Sequence, residues 1–170
     1  MSARKKSITV VIVVLALLAA AIAVLAYINR PGELPESGSV AVKTEGGTLR
    51  TFDLADLQSM EYVEVQKEIV SSSYENDEGL FRGVTVSSLL EAAGVQSGAY
   101  RQVLVRSEDG FVTAFPADEI ADGSIILVYS KNGESLGSLE SSGSGPLRIL
   151  AVEDDFGNRC AKYVSEIEVK

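Results

Sequence analysis

The 170-residue chain predicts an α+β fold in which β-structure predominates, preceded by one long apolar helix. Three observations carry that expectation. Short β-branched runs such as SVAVKT, YVEVQKEIV and SIILVYS recur between turn signals from Val40 onward. Brief amphipathic stretches, DLADLQSM and SSLLEAAGV among them, interrupt those runs at helical spacing. Residues 8–28, ITVVIVVLALLAAAIAVLAYI, hold 21 positions without a charge, enough to span a bilayer as a helix.

Arg4, Lys5 and Lys6 precede the apolar run and only Arg30 follows it. This asymmetry keeps residues 1–7 in the cytoplasm and exports the rest, so the chain is expected in the cell membrane as a single-pass protein with an extracytoplasmic C-terminal domain. Ala21-Ile22-Ala23 resembles a signal-peptidase site, but it lies inside the run, and the run is long for a signal peptide; an uncleaved anchor is favoured. Residues 29–39, NRPGELPESGS, contain two prolines and two glycines and read as a linker. Residues 40–170 then suffice for one domain with one core.

Composition excludes several function classes. Removing Arg4, Lys5, Lys6 and Arg30 from the 15 basic residues leaves 11 against 24 acidic ones, a formal charge of −13 outside the anchor segment. Nucleic acid is therefore not an expected partner. There is no histidine and one cysteine, Cys160, so a Ser-His-Asp or Cys-His catalytic group and a zinc, copper or haem site of the usual ligands are not expected. No catalytic or metal-ligating residue is assigned.

The elements follow in order. Glu45-Gly46-Gly47 is a hairpin turn between SVAVKT and TLRTF. Asp53 caps a short helix whose Leu54 and Leu57 share a face. YVEVQKEIV alternates as a half-buried strand. SSSYENDEG, residues 71–79, reads as a polar loop; its Glu75, Asp77 and Glu78 lack the spacing of an EF-hand. Ser88 and Glu91 have capping-box spacing, Leu89, Leu90 and Ala93 face the core, and Gly94 ends that helix. QVLVRSEDGFVTAF is a hairpin turning at Asp109-Gly110, PADEI a proline-started helical turn, and SIILVYS a buried strand. Asn132-Gly133 makes another turn, and PLRILAV and KYVSEIEV close the domain as strands, the latter with room for a helical turn before it.

In this order the segments TFDLADLQSMEYVEV, LFRGVTVSSLLEAAGV, VRSEDGF, ILVY, GPLRILAV and RCAKYVSEIEV resemble the molybdopterin-binding domain of the sulfite oxidase-like oxidoreductases, in a small stand-alone form. The resemblance covers about residues 40–170 and implies that family's β-rich α+β fold. It also implies a molybdopterin cofactor near Gly145 and Arg148 of the GPLR segment and Arg159 and Lys162 of the RCAKY segment. Guanidinium and ammonium groups there would meet phosphate oxygens, and the backbone of residues 142–146, SGSGP, would add N–H donors. The family's molybdenum-ligating cysteine follows the strand that YVEVQKEIV resembles, whereas residues 65–73 here read VQKEIVSSS. Cys160 lies where the family places no ligand and reads as a small buried hydrophobe. Residues 152–155, VEDD, replace the family's Pro-Gly with three carboxylates, and a second reading pairs the candidate cations with Glu153, Asp154, Asp155 or Glu166 instead. The resemblance therefore implies a degenerate ligand-binding or accessory module with an envelope redox or receptor partner; the alternative is an active molybdopterin-dependent oxidoreductase.

Overall fold

A computed structural model of the chain describes residues 2–28, 38–70 and 76–170, with side chains along the first helix given from position 12 to position 25. That helix, α1 (Ser2–Ile28), belongs to one compact unit and the rest of the described chain to another. The fourteen residues of α1 with described side chains would reach about 21 Å at 1.5 Å per residue. Among the described residues, no helix is long and apolar enough to cross a membrane.

The second unit contains two five-stranded sheets. Strands β1 (Val40–Thr44), β2 (Gly47–Phe52), β5 (Gln102–Ser107), β6 (Val112–Pro116) and β10 (Val164–Val169) form the first, in the order β2-β1-β10-β5-β6. The second runs β3 (Val63–Ile69), β4 (Asp77–Thr85), β7 (Ile125–Lys131) and β8 (Glu134–Ser135), with β9 (Arg148–Ala151) also pairing with β7. Among the described strands, β1 and β10 are the pair that runs parallel, so the C-terminal strand inserts beside the first strand of the domain. Among the described residues, three short α-helices complete the unit: α2 (Leu54–Ser59), α3 (Val86–Ala92) and α4 (Ala117–Ala121).

Period-two patterning explains where the core lies. Val40, Val42, Val103, Val105, Phe115 and Ile167 point from the first sheet into a cluster that Val84, Leu127, Ile149 and Ala151 enter from the second. The alternate residues of the second sheet are not solvated. Phe81, Ile126, Val128 and Leu150 form a separate cluster on its other face, joined by Ile69, Leu136 and Cys160. Being buried on both faces, β7 and β9 read as near-continuous apolar runs, IILVY and RILA.

The caps are local. Asp53 and Asp56 form a reciprocal capping box on α2, with Leu57 fully buried beneath it. On α3 the cap is Thr85, whose Oγ1 accepts from the Ser88 N–H, so the helix starts three residues before the predicted Ser88. The predicted loop 71–79 also ends early: β4 begins at Asp77, and residues 71–75, including Glu75, lie outside the described residues. At Asn132 and Gly133, φ values of 52° and 80° close the β7–β8 turn in the left-handed region that this dipeptide tolerates.

Gly83 sits at the register shift between β4 and β7, where an added Cβ would strike the Leu127 carbonyl. Gly83→Ala is expected to destabilise the domain by about 1–3 kcal/mol through overpacking against backbone, read as a lower midpoint in chemical denaturation at unchanged slope.

Candidate functional site

The cations expected from GPLR and RCAKY, Arg148, Arg159 and Lys162, face different neighbours. Arg148 is the first residue of β9 and points, like Leu150, into the cluster on the outer face of the second sheet. It is 3% exposed. Its Nη1 donates to Asp77 Oδ2 at the start of β4, and Lys131 at the end of β7 donates to the other oxygen of the same carboxylate. Phe81 lies below both cations, with its ring centroid 5.8 Å from the guanidinium carbon and 5.7 Å from the ammonium. A Cβ at Gly79 would meet the Lys131 side chain at 2.5 Å, so a glycine there lets that stem lie across the strand. Burial raises the Asp77 carboxyl pKa, but the hydrogen bonds and charges of Lys131 and Arg148 outweigh it and leave the group below its ordinary value.

Arg159 ends a single 3-10 turn (Gly157–Arg159) and engages other partners. It forks onto Asp154, Nε to Oδ2 at 2.8 Å and Nη2 to Oδ1 at 2.5 Å, while Nη1 donates to Glu119 Oε2 on α4 at 2.7 Å. Its guanidinium carbon stands 5.1 Å from the Phe115 ring centroid. The Asp154 hydrogen bonds raise the Arg159 pKa and, in return, hold the Asp154 carboxyl below its usual range. Arg148 and Arg159 thus share no partner. Lys162 is exposed and makes no ion pair among the described residues.

The backbone around Gly145 is committed as well. The N–H groups of Ser142, Gly143, Ser144 and Gly145 donate to the carbonyls of Leu139, Ser138, Leu136 and Gly137. Gly145 is there for packing, since a Cβ would lie 2.5 Å from that of Leu136. Residues 142–146 therefore cap their own loop and offer no N–H group of 142–145 to an anion. Of the three carboxylates in residues 152–155, Glu153 and Asp155 are exposed and Asp154 turns in to Arg159. Glu166 bonds Lys43 at 2.5 Å and Arg106 at 3.3 Å on the first sheet, away from the candidate cations.

Sequence reasoning did not single out three members of this corner: Asp77, Lys131 and Glu119. Asp77 was noted only as a loop carboxylate, and no local signal marks it as the counter-ion of residues 54 and 71 positions later. The one available hint was the GLF segment, a small-large alternation that places Gly79 and Phe81 on one face with Asp77.

Residues 30–170 match the family described as oxidoreductase molybdopterin binding domain. The chain belongs to that family. Among solved structures, the sulfane dehydrogenase SoxCD from Paracoccus pantotrophus is similar in fold, with a TM-score of 0.64 at 18% identity over 81% of this chain. The match spans 39% of the SoxCD chain. No curated protein matches the sequence.

Among the described residues of this molybdopterin-binding domain, the donors do not fit the pterin and its metal. Arg148 and Arg159 are neutralised by carboxylates of the same chain, and the N–H groups of the 142–145 loop are spent. The sole cysteine, Cys160, is 8% exposed among Ile69, Phe81, Val128 and Leu150. Burial raises its thiol pKa, against a smaller opposing pull from an Ala151 backbone hydrogen bond and the Arg148 charge. A thiol held protonated is a poor ligand and a poor nucleophile. Among the described residues, no group of three His, Cys, Asp or Glu side chains is placed to hold a metal ion.

Two measurements follow. Cys160 in the native chain is expected to react with a thiol reagent far more slowly than in urea, followed by the absorbance of the released chromophore. Asp77 and Asp154 titrate lower folded than unfolded, so their contribution is complete above about pH 4, near the unfolded carboxyl pKa, and is lost as pH falls through the depressed folded values. Denaturant midpoints are expected to fall below that pH, and Asp154→Asn is expected to flatten the fall.

Proposed function

We propose that this chain is a membrane-anchored, extracytoplasmic domain of the molybdopterin-binding family that works as a ligand-binding or accessory module and not as a molybdenum redox centre. The observation that carries the reading is the neutralisation of both candidate guanidinium groups, Arg148 by Asp77 and Arg159 by Asp154 and Glu119. A phosphate would have to displace a carboxylate already held in position by the fold. Residues 65–73, VQKEIVSSS, support the same reading, because they supply no thiolate where the resemblance expects the metal's protein ligand.

Anchoring is supported by the charge-free residues 8–28 and by Arg4, Lys5 and Lys6 before them. With the domain outside, its acidic surface favours basic or small-molecule partners of the cell envelope over nucleic acid. The module presents the corner of residues 145–162 as the place where a ligand or a partner protein engages.

Co-expression with the molybdenum-cofactor synthesis machinery, followed by metal analysis of the purified full chain, tests the redox claim. The expected result is no molybdenum above background; a stoichiometric signal would overturn the reading in favour of an active oxidoreductase. Carbonate extraction with intact-mass measurement tests the anchor, which predicts an uncleaved chain in the membrane fraction.

A further inference from the structure

We infer that the free edge of β3 is a docking site for an extended segment of a partner protein in which basic and apolar residues alternate. The inference rests on the accessory-module reading above for the existence of a partner, and gives that partner a surface and a chemical class.

Among the described residues, β4 pairs with one side of β3 and no strand pairs with the other. The register decides which backbone groups face that open side. The Leu80 carbonyl accepts from the Asn132 N–H, toward β7, so Leu80 and its partner Gln66 form a non-hydrogen-bonded pair, and the N–H and C=O of Gln66 point away from β4. With no register shift between the two strands, Glu64 and Glu68 do the same. Val70 continues the series and shows the edge in use: its N–H donates to the Asp155 carbonyl, and its C=O accepts from the Gly157 N–H. That bridge is isolated, so residues 63–68, about 20 Å of strand, stay open to a further strand.

The two faces of the edge select its occupant. On the outer face the half-buried Val63 and Val65, with Ile126 and Val152, floor a groove of about 510 Å³ whose rim carries the exposed Asp122 and Glu153. Lys67 is drawn down onto the Val152 carbonyl at 2.8 Å. On the opposite face stand Glu64, Gln66 and Glu68, all exposed. An added strand alternates too, so one set of its side chains meets the valines and the other the glutamates; apolar and basic residues in turn suit both. Arg82 already answers Glu64 at 2.7 Å, which leaves the charge selection to Glu68 and the rim. A second copy of the chain fits poorly, because two β3 edges paired antiparallel about Gln66 would set Glu64 opposite Glu68.

The probe is an octapeptide of alternating lysine and valine, titrated by calorimetry against the full-length chain in non-ionic detergent, with a glutamate–valine octapeptide as control. The lysine peptide is expected to bind about tenfold or more tighter than its control; equal binding overturns the inference. Gln66→Pro removes an outward N–H from an edge strand, where proline is tolerated, and changes no charge. It is expected to weaken the lysine peptide about tenfold at little change in Tm. A peptide held by the acidic surface alone would bind this variant undiminished, and the inference would fall. Two lysine–valine peptides N-methylated at alternate amides, one on its lysines and one on its valines, make the same test on the unaltered protein if the proline variant does not fold. Loss of binding by one and retention by the other supports strand pairing, whereas equal affinities overturn it. A wild-type chain that sediments as a dimer and becomes monomeric on Gln66→Pro would put a second copy on the edge and sink the basic partner. Molybdenum in the wild type would sink the redox-silent reading and leave the peptide comparison standing.

Discussion

One carboxylate joins three strands of the second sheet. Asp77 opens β4, Lys131 ends β7 and Arg148 opens β9, and the two ion pairs tie those positions together over Phe81. Arg148 lies on a face that is otherwise apolar, among Leu150, Val128 and Phe81. An unpaired guanidinium could not stay there, because removing one partner of a buried pair costs about 3–5 kcal/mol. Asp77 thus does for this face what a hydrophobic residue would do elsewhere, while leaving a charge that an apolar residue would not. Leu136 and Cys160 pack in the same cluster as Phe81.

The second sheet needs such a device because it is covered on both sides. Its inner face meets the first sheet, and its outer face is closed by Leu136, Cys160 and the partly buried Val152. Cover made of loops must pair its own backbone groups, and residues 136–145 do so with four backbone–backbone hydrogen bonds before β9 begins. The first sheet is different. Its outer face is solvated and carries a ladder of alternating charge, Lys43, Glu166, Arg106, Glu168 and Lys170, each modest in worth because each is partly exposed.

Much of the fold was legible because its signals are local. Alternation in VEVQKEI, the Asp109-Gly110 and Asn132-Gly133 turns, the Asp53 cap and the unbroken apolar run of β7 each arise within a few residues. The start of β4 was not legible, since DEG has no β-propensity and becomes strand only through pairing with Glu68 and Ile69 and through the ion pairs of Asp77. Thr85 displaced Ser88 as the cap of α3 because Val86 is fully buried and begins the helix three residues early. The candidate site was legible only in part. Arg148 and Arg159 could be picked from their motifs, and Asp154, five residues before Arg159, was a candidate partner, yet Asp77 and Glu119, the other carboxylates that engage them, lie 71 and 40 residues away.

That dependence bears on what an anion would have to displace at each arginine. A carboxylate fixed by the fold competes with a free anion at an effective concentration that the solution cannot match, in the way that tethering favours an intramolecular partner. In a chain with 24 acidic residues, internal competitors are readily supplied. The two arginines are answered differently. Arg159 is engaged by two carboxylates, including a bidentate one, and is saturated, whereas Arg148 shares a single carboxylate with Lys131 and keeps an unused donor. Arg159 is therefore saturated by carboxylates of its own chain, whereas Arg148 is only counterbalanced.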